Sequence, residues 1–291
     1  MFPNKITSSD FLKLVASDTK SDSKSLKKLR LRNEKNSIKL LLLAMTFSFT
    51  SRITTINIST LDLGKLNSDE DENEQAQFLK TFGDHCPKIV HLRLGKACIN
   101  TKNDSHVKYL CETIEHQLKS LKSLNLSGLN LNDDDACLII MACDHRSKNC
   151  QINYINLSGN ELACLEFVIP GGLQKLKKNL MVLNLSKNNL GFAGDPFAKE
   201  SDALYDTIQT LNTIMLEFPM LSTLKMNKCN FGKYEGIAIA ENLVNCTLTK
   251  LDLGNNTWEK SIDESVNKSE DESVKEKLTR AWKGPTKGLI C

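Results

Sequence analysis

The sequence predicts an α/β solenoid in which short strands lie side by side as a sheet and each returns through a helix packed behind it. Two observations predict this. One apolar frame, L-x-x-L-x-L-x-x-N-x-L, recurs about seven times along the 291-residue chain. Between copies the apolar spacing changes from that of a strand to that of a helix. The cleanest copy is Leu180-x-x-Leu183-x-Leu185-x-x-Asn188-x-Leu190. A second runs Ile152, Ile155, Leu157, Asn160, Leu162, and a third runs Leu248, Leu251, Leu253, Asn256, closed by Trp258.

The frame has a local physical meaning. Side chains two apart share one face of a strand, so Leu183 and Leu185 both point inward. A turn follows, and the Asn at the ninth position enters the interior. There its amide pairs backbone groups that the turn leaves open, which a buried polar group requires. Only Asn160, Asn188 and Asn256 supply that amide. Cys229 stands in the ninth position of Leu221-Leu224-Met226, Ala97 in that of Ile89-Leu92-Leu94, and Leu129 in that of Leu121-Leu124-Leu126. The frame Ile53-Ile56-Ile58-Leu61-Leu63 places Leu61 there. With fewer amides, the amino-terminal half is expected to be the less regular.

In chain order, residues 1–50 are expected to form a front cap. It comprises a helix from Ser9 or Asp10 through Ala16, a polar linker, a degenerate repeat around Leu26, Leu29 and Leu31, and an apolar helix from Ile38 to Phe49. That apolar run is about twelve residues, too short for a bilayer, which takes about 20. Residues 51–258 hold the repeats. Asp69 to His85 opens with acids and turns apolar at Phe78, Leu79 and Phe82. Asp133 to Cys143 starts acidic, as suits a helix N-terminus. Ser201 to Phe218 is a longer helical stretch, stopped near Pro219, and Glu235 to Val244 has apolar residues at helical spacing. Residues 191–200, with Phe192 and Phe197 among Gly and Pro, read as an inserted loop. Residues 259–291 are expected to be a rear cap: a helix from Ser269 to Trp282, then a short strand at Leu289 to Cys291. Repeat lengths run from about 27 to 41 residues, which full helices and inserted loops explain.

These copies resemble the leucine-rich repeat, and Leu221 to Trp258 resembles its ribonuclease-inhibitor subtype: strand, then Cys229 or an Asn, then a full helix such as Gly236 to Asn245, then the next strand. The likeness covers roughly residues 53 to 258. It implies an α/β horseshoe with a parallel sheet on the concave side and helices on the convex side, binding other proteins through the concave face. Uneven repeat lengths and a slightly basic balance depart from the inhibitor itself, so a basic ribonuclease is not the expected partner. The cap helix, the Lys/Asn-rich composition and the acidic run Glu270, Asp271, Glu272 with Glu276 resemble leucine-rich-repeat effectors that intracellular bacteria secrete through type IV systems. That resemblance implies action inside a host cell.

Composition narrows the classes. Net charge is +3, from 38 basic and 35 acidic residues, which falls short of the concentrated basic face of a nucleic-acid binder. The ten cysteines form no C-x-x-C pair, and most sit at repeat or helix positions, so they are expected to be reduced, small, buried apolar residues in a reducing compartment. The first residues lack the apolar segment of a secretory signal peptide.

No H-E-x-x-H, G-x-S-x-G or G-x-x-x-x-G-K-[ST] occurs, and no catalytic, cofactor or metal residue is expected. Asp144, His145 and the nearby Cys137, Cys143 and Cys150 have irregular spacing for zinc. His85 beside Cys86 lacks an orienting third group. The roughly thirty residues after Trp258 are short of an added enzymatic domain. An enzyme of this sequence would need a deep polar pocket with perturbed ionisable groups.

The expected function is therefore a non-enzymatic protein-interaction scaffold, a monomer with no membrane span and no nucleic-acid partner. Side chains flanking the central Leu of each strand face the docking surface. One column reads Asn57, Arg93, Asn125, Asn156, Asn184, Lys225, Asp252. The candidate partner-binding residues are His91, Arg93, Tyr154, Asn156, Lys225, Lys228, Lys250 and Asp252. Tyr154 and Arg93 lead, because Tyr and Arg are enriched in binding hot spots. The lysines point to an acidic patch on the partner. The alternative is that they bind nucleic acid or an anionic membrane, which a steep salt dependence would reveal.

Overall fold

The computed structural model describes residues 28–32, 60–65, 72–85, 89–96, 98–116, 118–143, 151–168, 172–192, 202–258, 273–285 and 288–291. The expected helices at Ser9 to Ala16 and Ile38 to Phe49, the run 270–272 and most of the 191–200 loop lie outside these residues. So do Asn57, Cys86, Asp144, His145 and Cys150.

The chain divides into two compact units. The first comprises Met1–Leu129 and Leu138–Ile152, the second Asn130–Cys137 and Asn153–Cys291. Each is an α/β stack of short parallel strands with helices behind them, as expected of a solenoid. The first unit carries strands β1 (Lys28–Arg32), β2 (Thr60–Lys65), β3 (His91–Arg93) and β4 (Ser123–Asn125), with helices α1 (Glu72–His85) and α2 (Asp104–His116). Helix α3 (Asp133–Ala142) runs through the boundary. The second unit carries β5 (Tyr154–Asn156), α4 (Leu165–Val168), α5 (Gln174–Leu176), β6 (Val182–Asn184), α6 (Asp202–Glu217), β7 (Thr223–Lys225), α7 (Lys233–Leu243), β8 (Lys250–Asp252), α8 (Val274–Ala281) and β9 (Leu289–Ile290).

In the first unit β1 to β4 pair in sequence order, all parallel, with Leu29 beside Leu61, Leu61 beside Leu92, and Leu92 beside Leu124. This register corrects the sequence frame at β2. Leu61 occupies the central strand position, not the ninth, so Asp62 rather than Asn57 stands level with Arg93. The run Ile53, Ile56, Ile58, Leu61, Leu63 satisfies two overlapping frames, and only pairing with Leu92 decides between them. Behind the sheet, Phe78, Leu79 and Phe82 of α1 are fully buried, and the Phe78 and Phe82 rings stack at 5.0 Å. Helix α1 packs on α2, where the Thr113 hydroxyl donates to the Leu79 carbonyl at 2.7 Å.

In the second unit β5 to β9 again pair in order and in parallel, with Ile155, Leu183, Leu224, Leu251 and Leu289 in register. The inward residues Leu157, Leu185, Met226 and Leu253 are fully buried. Each buried aliphatic side chain of this kind contributes roughly 1.5–3 kcal/mol, realised because neighbouring coils share the interior. The Asn ladder lies here. Asn188 Oδ1 accepts the Asn160 and Leu162 N–H groups at 3.1 and 3.3 Å, while its Nδ2 donates to the Leu157 and Leu185 carbonyls. Asn160 likewise accepts the Leu131 N–H and donates to the Leu157 carbonyl. Each amide thus ties its own turn to the preceding coil.

The return helices of this unit pack in series, α6 on α7 and α7 on α8. Buried Glu235 fastens one turn. Its Oε2 accepts the Gly232 N–H at 3.0 Å, capping α7, and its Oε1 accepts the Phe192 N–H at 2.8 Å. Helix α8 starts at Ser273, whose side chain accepts the Glu276 N–H while Glu276 accepts the Ser273 N–H. Trp258 is buried. Trp282 is half-buried on the closing segment, and its indole N–H donates to the Pro285 carbonyl at 3.0 Å.

Candidate functional site

The central residue of each three-residue strand points into the core, so the two flanking side chains face away from it. In the first unit these outward positions hold exposed His91 and half-buried Arg93 on β3. In the second unit one column reads Tyr154, Val182, Thr223, Lys250, and the other reads Asn156, Asn184, Lys225, Asp252, Ile290. Of the eight candidates, six therefore fall in the second unit. The structure brings Lys225 level with Asp252 on adjacent strands and Tyr154 level with Val182.

The asparagine column has a structural role that the sequence reading missed. Asn125, Asn156 and Asn184 each accept, through Oδ1, the N–H two residues on, from Ser127, Ser158 and Ser186 at 3.0–3.1 Å. This is the Asx-turn that bends the chain out of the strand. Asn156 is buried. It belongs to the turn and is withdrawn from the docking candidates, because its acceptor is already engaged. Asp252 plays the same part, since its Oδ1 accepts the Gly254 N–H at 3.2 Å and its Oδ2 accepts from Asn227 Nδ2 at 2.7 Å. The signal was available in the sequence as Asn-x-Ser repeated at the ends of β4, β5 and β6. Lys225 has no acceptor for this turn, and the Asn227 N–H goes to the Ser186 hydroxyl of the neighbouring coil at 3.2 Å instead.

Lys228 stands outside the strand columns, as its place just before ninth-position Cys229 requires. It lies past the strand, in the turn, with φ of 55°. In five coils the residue before the ninth position is left-handed: Gly128 (72°), Gly159 (68°), Lys187 (62°), Lys228 (55°) and Asn255 (60°). Lys187 and Lys228 are exposed, as is Lys250, and Lys225 is half-buried. The Lys187 N–H donates to the Asn227 carbonyl at 2.8 Å, and the Lys228 N–H to the Gly254 carbonyl at 3.0 Å, so these turns stack in consecutive coils.

Elsewhere burial governs the ionisable groups. It pushes the Cys229 thiol up to about 12, the neighbouring Asn188 and Lys187 N–H groups opposing. That thiol donates to the Leu185 carbonyl at 3.4 Å, a weaker version of the Asn bond. Burial raises Asp133, against the pull of the Cys164 and Ala163 N–H groups that its carboxylate accepts at 3.1–3.2 Å. Glu166 is raised by burial, then by its hydrogen bond to Asp206 and by repulsion from Asp206 and Asp133. In the first unit burial lowers His106, with Glu72 opposing.

Among the described residues no group of three or more His, Cys, Asp or Glu is placed to hold a metal, and no disulfide joins the eight described cysteines. No described helix is long and apolar enough to cross a membrane.

No protein-family model matches the chain, and no curated protein matches it. A chain in the crystal structure of the yeast Rad7 and Elc1 complex is similar at 13% identity, covering 84% of this chain and 74% of that one with a TM-score of 0.36. Leiomodin-1 actin-binding site 2 is similar at 16% identity, covering 73% of this chain and 87% of that one with a TM-score of 0.32. Superpositions this loose carry no argument about what the chain does.

Proposed function

We propose that the outward strand positions of the second unit dock a protein partner and that the chain is a non-enzymatic interaction scaffold. One observation carries this reading. On strands whose turn residues are engaged in internal bonds, Tyr154, Lys225 and Lys250 stand on the outward face with no side-chain hydrogen bond or ion pair among the described residues. An aromatic with a polar tip and two cations on a rigid sheet make a pre-organised surface, which lowers the ordering cost of association. His91 and Arg93 give the first unit a comparable outward pair. Crosslinking mass spectrometry in a relevant cell tests the reading, with Tyr154→Ala, Arg93→Ala and Lys225→Ala/Lys250→Ala carried in parallel. Loss of a specific protein crosslink in at least one variant is expected. Capture that is identical in all of them sinks it.

The setting we propose is the reducing cytosol of a host cell, reached by secretion from a bacterium, with the chain acting as a monomer of the ribonuclease-inhibitor-like subtype. The support is the Lys/Asn-rich composition, the acidic run at residues 270–272 and cysteines placed as core residues, such as fully buried Cys229. A reporter fusion checks it: translocation into infected cells that depends on the secretion system is expected, and none in any genetic background rejects it.

A further inference from the structure

We infer that the turn edge of the second unit, where Lys187 and Lys228 continue the basic surface from Lys225, is a docking strip for an acidic segment of the partner. The inference rests on the docking reading above and names the partner's chemistry.

The observation behind it is a misfit between residue and backbone. The position before the ninth residue takes positive φ in the coils of β4 to β8, and Gly128, Gly159 and Asn255 are residue types that adopt it readily. Lys187 and Lys228 are not, since a Cβ crowds the following carbonyl in that region. Nothing internal compensates them. Both are exposed, and neither side chain has a hydrogen bond or ion pair among the described residues. The fold would be better served by Gly at both sites, so the long cations add nothing to it.

Their placement is ordered. Through the Lys187–Asn227 and Lys228–Gly254 backbone bonds the two turns belong to consecutive coils, which are spaced by about 4.8 Å in a sheet. Lys225 ends β7, three residues before Lys228, so it opens onto the same turn, whereas Lys250 begins the next strand at its other end, level with Thr223. Exposed Asn189, Asn230 and Asn255 interleave amides among the ammonium groups. Of the carboxylates along this edge, Asp252 is engaged by Asn227 and Gly254, and exposed Glu161 stands one coil before Lys187, at the turn position of Asn189 and Asn230.

The chemistry favours carboxylates. The strip has neither the Arg forks nor the exposed aromatic platforms that hold nucleic acid. It has none of the apolar side chains that enter a bilayer interface. Exposed Met181, Met220 and Val244 lie instead where chain enters the strands from the helices. Lysines alternating with amides suit carboxylates and peptide carbonyls.

The test uses the full chain and a fluorescein-labelled poly-glutamate peptide, read by fluorescence anisotropy at low and high salt. Lys187→Gly/Lys228→Gly is the informative variant, because Gly fits the backbone: it removes charge without harming the fold. Salt-sensitive binding to the wild type is expected, weakened about tenfold or more in the Gly pair while its melting temperature holds or rises, and kept by Lys187→Arg/Lys228→Arg. No binding by the wild type, unchanged binding by the Gly pair, or tighter retention on a thymidine oligonucleotide or on phosphatidylserine vesicles each overturns it. If partner crosslinking still depends on Tyr154 while the Gly pair is silent, the docking reading stands and this one falls. If poly-glutamate binds as expected but no partner crosslink depends on the strand face, the reverse holds.

Discussion

Asn256 holds Cys229 from the next coil: its Oδ1 accepts the Cys229 N–H at 2.8 Å and the Phe231 N–H at 3.3 Å. Its Nδ2 donates to the Met226 and Leu253 carbonyls at 2.9 and 2.7 Å. One amide therefore satisfies four backbone groups. Asn256→Ala strips partners from all of them, and each buried group left open costs about 1–3 kcal/mol. Relaxation and water recover part of that, so the expected loss is about 3 kcal/mol in urea denaturation. A loss under about 0.5 kcal/mol would show that the ladder is ornamental.

Cys229 does the same work poorly. Its thiol is a weak donor, 3.4 Å from the Leu185 carbonyl, in a site built like those of Asn188 and Asn256. Cys229→Asn is expected to stabilise the chain by about 1 kcal/mol, the net worth of one added hydrogen bond. The wild-type thiol also sets an alkaline limit. Its folded value, about 12, lies above its ordinary 9.0, so the folded state keeps a proton that the unfolded state releases. Stability is full below pH 9 and falls as pH rises toward 12. Equilibrium unfolding across that range should show a shallower decline in Cys229→Asn than in the wild type.

Much of this was legible in the sequence, because the features that make a coil are local. The spacing of Leu183, Leu185 and Asn188 sets strand and turn without reference to distant chain, and helices over 133–142 and 202–217 follow from their apolar period and acidic starts. What escaped depends on pairing or on backbone sign. The β2 frame had two solutions until Leu61 met Leu92. Asn156 looked like a surface residue because an Asx-turn leaves no apolar signature. Lys187 and Lys228 concealed a left-handed turn, since Lys is among the last residues one would place there.

His106 makes the first unit acid-sensitive. It is buried, and its Nδ1 accepts the Asn100 N–H at 3.1 Å, a bond that requires the neutral ring. Burial holds its folded value below the ordinary 6.5 despite Glu72. The folded state therefore binds fewer protons than the unfolded one below that point, and stability present above about pH 6.5 is lost as pH falls. Melting temperatures taken from about pH 8 down to about pH 5 should drop, and His106→Gln, which cannot titrate, should flatten the slope. An unchanged slope in the variant would assign the acid sensitivity to another group.

Gly236 sets two effects of opposite sign against each other. It lies inside α7, where Ala is better than Gly by about 1 kcal/mol. Yet a Cβ there would stand 2.9 Å from Trp258 Cε3 and press on Val274 Cγ1 of α8. Val274 can turn, but the Trp258 ring is 3% exposed and has nowhere to retreat. Overpacking of this kind costs about 1–3 kcal/mol, more than the helix gains. Gly236→Ala should therefore lower stability by about 1 kcal/mol and loosen α8, read as faster amide exchange over Val274 to Ala281. The exposed-helix control Glu241→Ala, free of any such contact, should change stability little. A Gly236→Ala chain more stable than the wild type would mean that the close approach of α8 does not hold.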